Sequence, residues 1–521
     1  MAGLVDSYLR GEARAFFPLT PTSAADRRSA VAAAVRPLDP AVADELERQN
    51  ARHAPSPARA AHLAALRRGA AAVVTGQQVG LFLGPLYTVY KAAAAIRDAR
   101  ALAEESGAAV VPVFWLQTED HDLPEIAGCC LPTASGDLAH LALPAAASDR
   151  ISIAHRKIPA AIEGQLAQLR ELLEDLPHGP AHLERIGRHY RAGAGWGEAF
   201  AGLLAELFAD EGLVLLDPRT PAFAAAAVPI HRRALEGAEL IARGLRAGCE
   251  RLEAAGFDVA VHVREEAPLS FFHPDGPTGP RYRLDAHFAE VGGSGRHTRQ
   301  ALLERLEAEP LAFSTSALLR PILQDTLLPT AAYVGGPGEI AYFAQLAPLY
   351  AAFDKRMPLV VPRARFRVIE PRARRLLVRH DLAPQDAAQL EEALLARCSR
   401  AELPDGAAVL RSLLAPFEQT LDEVAVPLRG ELEKALARTR TSVRVAAERF
   451  ATRYERARLH RDEAVVADVR KLQRLLHPKG APQERNHGFA WYGARYGDRA
   501  FLETILASVR PFDGSLLEIE P

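Results

Sequence analysis

Apolar residues fall into two regimes along the chain: short runs bounded by glycine and proline up to about residue 380, and heptad-like spacings beyond it. Short bounded runs read as buried strands, and spacings of three and four read as one face of a helix. The runs AAVV (71–74) and AAVVPVFWLQ (108–117) flank the helix-like LYTVYKAAAAIRDARALAEE. Strand, helix and strand at that length predict a βαβ unit and hence a parallel sheet. A helix around EAFAGLLAELFADEG followed by LVLLD (213–217) predicts a further unit, with Gly212 as the helix C-cap. DVAVHV (258–263), TAAYV (330–334) and PLVVP (358–362) are the remaining strand candidates. Residues 1–70 read as helices with loops, PLTPTS marking a turn and an N-cap.

From about 384 onward the pattern changes. Leu410, Leu414, Phe417, Leu421, Val424 and Leu428 alternate spacings of four and three, the seam of a coiled coil. After a stutter, Leu432, Leu436, Thr439, Val443, Ala446 and Phe450 repeat the alternation. Pro427 is expected to kink or divide these helices. Between Leu428 and Leu476 only Gly430 interrupts, which allows a helix of up to roughly 70 Å at 1.5 Å per residue.

The stretch from Gly69 to Tyr90 holds no charged residue, which raises the question of a membrane span. Thr75, Gln77, Gln78, Gly76, Gly80, Gly84 and Pro85 answer it, because a bilayer helix needs about 20 predominantly apolar residues. A buried strand entering a glycine-rich turn fits instead. The formal net charge of −2 gives no electrostatic case for nucleic acid or a membrane surface. The four cysteines, at 129, 130, 249 and 398, form no C-x-x-C pair, so neither a metal site nor a redox motif is expected. The opening MAGLVDSYLRGEARAFF has no basic region leading into an apolar run, and a cytoplasmic location is expected.

Four stretches put polar groups where strands end. Thr75-Gly76-Gln77-Gln78, continuing to Gly84-Pro85 and Tyr87-x-x-x-Lys91, joins glycines to a helix start, where backbone N–H groups and the helix dipole favour an anion. It is neither G-x-G-x-x-G nor a Walker A loop. Glu119-Asp120-His121-Asp122, with Glu125, follows a strand at its carboxyl end, the binding side of an open α/β sheet. Carboxylates around one imidazole suit a general base, and a single histidine is poor support for zinc. Arg320, Gln324 and Asp325 precede a strand that ends in Gly335-Gly336-Pro337-Gly338-Glu339, followed by Tyr342 and Gln345. Glu339 and Tyr342 are spaced to share a helix face. HPKGAPQERN (477–486) offers Lys479, Gln483, Glu484 and Arg485 as weaker anion contacts.

Taken together, TGQQ-x-GLF-x-GPLYT-x-YK, VFW…EDHD, LLRP…LLPT, GPGEIAYFAQL and QER resemble the family of the bacillithiol-biosynthesis cysteine-adding enzyme, BshC. The match runs in order over essentially the whole chain. Ser314-Thr315-Ser316 stands where the family commonly has S-P-N, and Tyr342-Phe343-Ala344-Gln345 replaces its more usual Tyr-Trp-Ala-Gln. The resemblance implies a Rossmann-like parallel-sheet core with connecting insertions and a C-terminal helical coiled coil that dimerises the protein. The expected division is 1–130 for the first half of the core and 131–312 for insertions with further core strands. The second half then covers 313–383, the coiled coil 384–477, and 478–521 packs back on one of them.

The implied activity joins cysteine through an amide to the glucosamine amine of glucosaminyl-malate, the last step of bacillithiol assembly. His121, aligned by Asp120 or Asp122 beside Glu119, is then the candidate base. Thr75, Gly76, Gln77, Gln78, Tyr87, Lys91, Arg320, Gln324, Gly336, Glu339, Tyr342 and Gln345 are the candidate substrate contacts, with Lys91 and Arg320 facing malate carboxylates or an activated acyl group. Nucleotide binding, ATP or ADP, is implied near the coiled coil, where Lys479, Gln483 and Arg485 are the candidates. Two alternatives stand beside this reading: a hydrolase holding a divalent cation on the Glu119–Asp122 cluster, and a non-catalytic coiled-coil scaffold.

Overall fold

A computed structural model describes residues 3–145, 149–263, 266–399, 403–425 and 429–521, and the chain divides into two compact units. The first comprises residues 1–134, 138–367 and 484–521; the second comprises 135–137 and 368–483.

Five parallel strands form the centre of the first unit: β1 (Ala71–Gln77), β2 (Val110–Leu116), β3 (Val214–Leu216), β4 (Thr330–Gly335) and β5 (Leu359–Pro362), in the spatial order β5-β4-β1-β2-β3. Registers run Ala71 opposite Val110 through Gln77 opposite Leu116, and Thr75 opposite Val334. Strands covered on both faces become continuous apolar runs, and β1, β2 and β4 are almost wholly buried. Helix α1 (Tyr87–Ser106) returns the chain from β1 to β2, and its apolar residues from Val89 to Ala95 are buried. The uncharged stretch 69–90 is therefore sheet core and turn, and no helix among the described residues is long and apolar enough to cross a membrane.

Helix α2 (Trp196–Leu207) leads to β3, but Gly212, at φ +68°, makes the turn into the strand rather than capping the helix, which ends at Phe208. The expected strand DVAVHV is absent from the sheets of the described residues. Val259, Val261 and Val263 pack on the core as an irregular segment. A side-chain amide replaces the missing ladder: Val261 N–H donates to Gln345 Oε1 at 3.0 Å, and Gln345 Nε2 donates to Val261 O at 2.8 Å. Gln345→Ala strands both backbone groups and is expected to cost about 1–3 kcal/mol in urea unfolding. Helices α3 (Arg320–Leu327) and α4 (Pro337–Phe343) bracket β4. A small antiparallel sheet, Tyr282–Arg283, Ser270–Phe272 and Phe313–Thr315, completes the parts that bear on the site.

The second unit is helical and begins at Val368, earlier than the break expected at 384. Pro371–His380 buries Ala373, Leu376 and Leu377 in the same cluster as Leu472, Leu475 and Leu476. Helices α5 (Gly406–Ala425) and α6 (Arg429–Leu459) lie against each other, and Arg444 reaches Glu418 at 2.8 Å while Arg440 pairs with Asp422. The first seam holds at Leu410, Leu414, Phe417 and Leu421, all half-buried. In the second run Leu432, Thr439, Ala446 and Phe450 are exposed, and the inner face is Leu436, Val443, Ala447 and Ala451. Small alanines let α5 approach on that face, so packing selects it over the stripe that carries Phe450. Pro427 and Leu428 lie outside the described residues.

The long helix also ends early, because Asp462 starts a new one, α7 (Glu463–Leu476). Its Oδ1 accepts from the backbone N–H groups of Ala464 and Val465, both at 3.1 Å. Asp462→Ala is expected to lower stability by about 1 kcal/mol and to speed amide exchange in the first turn of α7.

Candidate active site

The chain moves from β1 outward through β2 to β3, and from β4 outward the other way to β5. β1 and β4 therefore flank the switch point of the sheet, and their carboxyl ends diverge to leave a crevice. A cleft of about 550 Å³ lies there, lined by both glycine turns, the Gln117–His121 segment and residues from the small sheet.

Lys91, on the second turn of α1, ties the two turns together. Its buried Nζ donates to Gly76 O at 2.8 Å and Gln77 Oε1 at 3.0 Å, and pairs with Glu339 Oε2 at 2.5 Å. Its three N–H groups are thereby engaged, so it acts as a bolt between walls rather than as an open anion contact. Burial pulls the ammonium down from its ordinary value, with Glu339 opposing. Glu339 also accepts from Tyr333 OH at 2.5 Å and from its own helix start, Gly336 N, at 2.8 Å. Burial alone would raise the Glu339 carboxyl, but Lys91, Tyr333 and Gly336 outweigh it and hold the group below the ordinary range. Arg320 continues this wall: it donates to Gln324 Oε1 at 2.8 Å and Tyr342 OH at 2.7 Å, and stacks 5.0 Å from the Tyr333 ring centre.

Opposite stands the acidic segment after β2. Gln78 Nε2 donates to Asp120 Oδ2 at 2.9 Å and Glu125 Oε2 at 2.7 Å, fixing the first glycine turn to it. Burial favours protonation of Asp120, but Gln78, Arg281 and the His121 N–H keep its carboxyl below the usual range. His121 is half-buried and its Nδ1 makes no hydrogen bond, lying 3.6 Å from Asp120 Oδ1. Burial first, then the Arg281 charge, lower its pKa below 6.5, which leaves the imidazole neutral and able to accept a proton at pH 7. Glu119 is committed elsewhere, accepting the Thr315 N–H at 3.2 Å and the Thr315 hydroxyl.

Gly76, Gln77, Gln78, Tyr87, Lys91, Glu119, Asp120, His121, Arg320, Gly336, Glu339, Tyr342 and Arg485 all line the cleft. Other sequence candidates do not. Thr75 is buried between strands, donating to Val334 O at 2.9 Å. Asp122 caps the turn Leu123–Ile126, and Gln324 props Arg320 from behind. Gln345 clips the Val261 segment. Gln483 is buried in the helical unit, bonded to Val368 and Leu475, and Lys479 belongs to that unit too. The second pair of glycines, Gly80 and Gly84, forms no phosphate cradle. Leu83 N–H donates to Tyr190 OH, which donates to Gly80 O, and a Cβ on Gly80 would sit 3.0 Å from Gly84.

Sequence reasoning missed Arg281 and Arg363. Arg281 lies 3.8 Å from the Phe271 ring centre and donates to Glu119 O. Arg363 is buried in a two-pronged pair with Glu484, at 2.8 and 2.6 Å, and sits over the Tyr87 ring. Its signal was available: it directly follows β5, at the carboxyl edge that carries every other strand-end candidate. The cleft thus gathers Lys91, Arg281, Arg320, Arg363 and Arg485 against Glu119, Asp120 and Glu339; with Lys91 paired to Glu339 and Arg363 to Glu484, the cations left to meet an anionic ligand are Arg281, Arg320 and Arg485.

Comparison with known proteins places these residues in a family. Residues 2–364 match the model described as bacillithiol biosynthesis BshC, N-terminal Rossmann-like domain, and residues 368–519 match its C-terminal coiled-coil domain. Relatives named as candidate cysteine ligases, BshC, include that of Koribacter versatilis, 38% identical over 88% of this chain and 85% of its own. Those of Solibacter usitatus (32%, covering 82% and 80%) and Salinibacter ruber (32%, covering 93% and 90%) are similar as well.

Proposed function

Because this chain belongs to the BshC family of bacillithiol biosynthesis, we propose that it is a C–N bond-forming ligase that adds cysteine to glucosaminyl-malate, completing the thiol. The observation that carries the reading is the juxtaposition, in one cleft, of a neutral imidazole beside Asp120 with the basic side chains Arg281, Arg320 and Arg485.

Amide formation needs the amine uncharged and the carboxyl carbon activated. His121 takes a proton from the glucosamine ammonium through Nε2, its Nδ1 being buried on the Asp120 side. The nitrogen lone pair then attacks the carboxyl carbon of the activated cysteine, whose C–O bond to the phosphate or adenylate leaving group breaks as the amide C–N bond forms. Asp120, held ionised by Gln78 and Arg281, stabilises the imidazolium that results. Arg320, with donors beyond those bound to Gln324 and Tyr342, faces the malate carboxylates. Forming the amide from a free carboxylate is uphill in water, so an activated donor is required, and ATP is the proposed source. Arg281 and Arg485 fit its phosphates by charge. On the helical unit, the exposed Leu413, Leu432, Val445 and Phe450 are the proposed contacts with a second copy.

Purified protein incubated with cysteine and glucosaminyl-malate, with and without ATP, tests the reading by mass spectrometry of the product. A product lighter by one water than the sum of its substrates supports it. Substrates recovered unchanged under every condition reject it.

A further inference from the structure

A second cavity of about 270 Å³ opens at the carboxyl ends of β2 and β3, behind the acidic segment of the cleft. Its lining is mixed in charge. Arg52, His189, Glu198 and the half-buried Asp217 share it with the apolar Leu116, Ala201 and Leu215, and Glu198 also accepts the Gly195 N–H of its own helix start at 3.2 Å. Two glycines of helix α2 let the lining pack close: a Cβ on Gly197 would approach Thr118 Cγ2 at 3.1 Å, and one on Gly202 would strike the His189 ring. Arg52 is exposed and forms no ion pair among the described residues; burial raises the Asp217 carboxyl, and the Arg52 charge is among those that oppose it. His189 is oriented by Glu206, its Nε2 lying 2.9 Å from Oε2.

The cavity shares a wall with the candidate active site. Thr118 Oγ1 donates to Asp217 Oδ1 at 2.5 Å, and the neighbours of Thr118, Gln117 and Glu119, both face the cleft. A multiply charged anion meets Glu198 and Asp217, and a simple cation meets Arg52. A small dipolar molecule satisfies both sets. We infer that this cavity is a subsite for a small free α-amino acid, with its ammonium on Asp217 and Glu198, its carboxylate on Arg52, and a short side chain over Leu116 and Leu215. Burial holds the Asp217 carboxyl above its ordinary value, and a bound ammonium offsets that by replacing lost hydration. The choice of cysteine as a ligand rests on the proposed function; the chemistry of the cavity does not.

Calorimetry at pH 7 with cysteine, serine and succinate tests this on the wild type and on Arg52→Glu, Ala201→Leu and His121→Ala, with amide formation assayed in parallel. The expected result is cysteine and serine binding that weakens at least about tenfold in both Arg52→Glu and Ala201→Leu and stays within twofold in His121→Ala. Melting curves confirm that each variant is folded. The inference is overturned if the wild type binds neither amino acid, if both cavity variants bind as the wild type does, or if succinate binds as tightly as serine. Binding that follows this pattern without amide formation would uphold the subsite and reject the ligase reading.

Discussion

Lys91→Met is expected to lower unfolding free energy by about 3–5 kcal/mol and to abolish measurable cysteine addition, a loss of roughly a thousandfold or more. The methionine keeps most of the length and apolar bulk, so the variant isolates the ammonium. Its removal leaves Glu339 without its cation and takes a donor from Gly76 O and from Gln77 Oε1. The carboxylate then survives only on Tyr333 and Gly336, and both turns lose the group that holds them at a fixed separation. Glu339→Gln in the Lys91→Met background is expected to recover part of the stability, because a neutral amide needs no counter-charge. The pH dependence has a definite sign. The carboxyl of Glu339 lies below 4.5 in the folded protein, so its contribution is complete above that pH and fades as the pH falls through the lower folded value. Urea titrations of both variants at pH 7 and pH 4 measure this. A Lys91→Met protein as stable as the wild type at pH 7 would mean the pair is effectively solvated.

His121→Ala should behave in the opposite way, with stability nearly intact and turnover reduced about a hundred- to ten-thousandfold. The ring is half-buried and its Nδ1 holds nothing in place, so truncation breaks no hydrogen bond there. With the wild type, kcat/KM should rise with pH along an acid limb whose midpoint lies below 6.5. Burial and the Arg281 charge both disfavour the imidazolium, and the base form is already present at neutral pH. In His121→Ala that limb should vanish. An unchanged limb in the variant would assign the titration to another group and remove His121 from the role of base.

How much of this was legible in the sequence depended on where a residue's partners lie. The glycine turns after β1 and β4 could be read because a strand run, glycines and a helix start are local signals, and parallel strands send such ends to one edge. His121 was legible for the same reason. Thr75, Gln324 and Gln345 sit among the same motifs, yet their side chains serve the fold, since neither strand pairing nor the position of Val261 is visible in a linear pattern. Arg281 gave no local signal, being one arginine in a loop between two short strands. The second heptad run held only at Leu436 and Val443, for a related reason. Two stripes of α6 satisfy the spacing, and only the approach of α5 decides which is inside.

The pairing of Arg363 with Glu484 also has a temporal side. The first unit is interrupted after Arg367 and resumes at Glu484, with the helical unit inserted between them. A ribosome delivers Arg363 some 120 residues before its carboxylate partner. At about 5–20 residues per second, that leaves an interval of roughly 6–24 s. During it the sheet has all five strands, while a cation destined for the interior has no counter-charge. The cleft can close only after synthesis has passed through an entire helical insertion, so the nascent first unit must stay open, or be shielded, until then. Stalling translation within α6 should yield a nascent chain far more open to protease around Arg363 than one released from residue 490 onward.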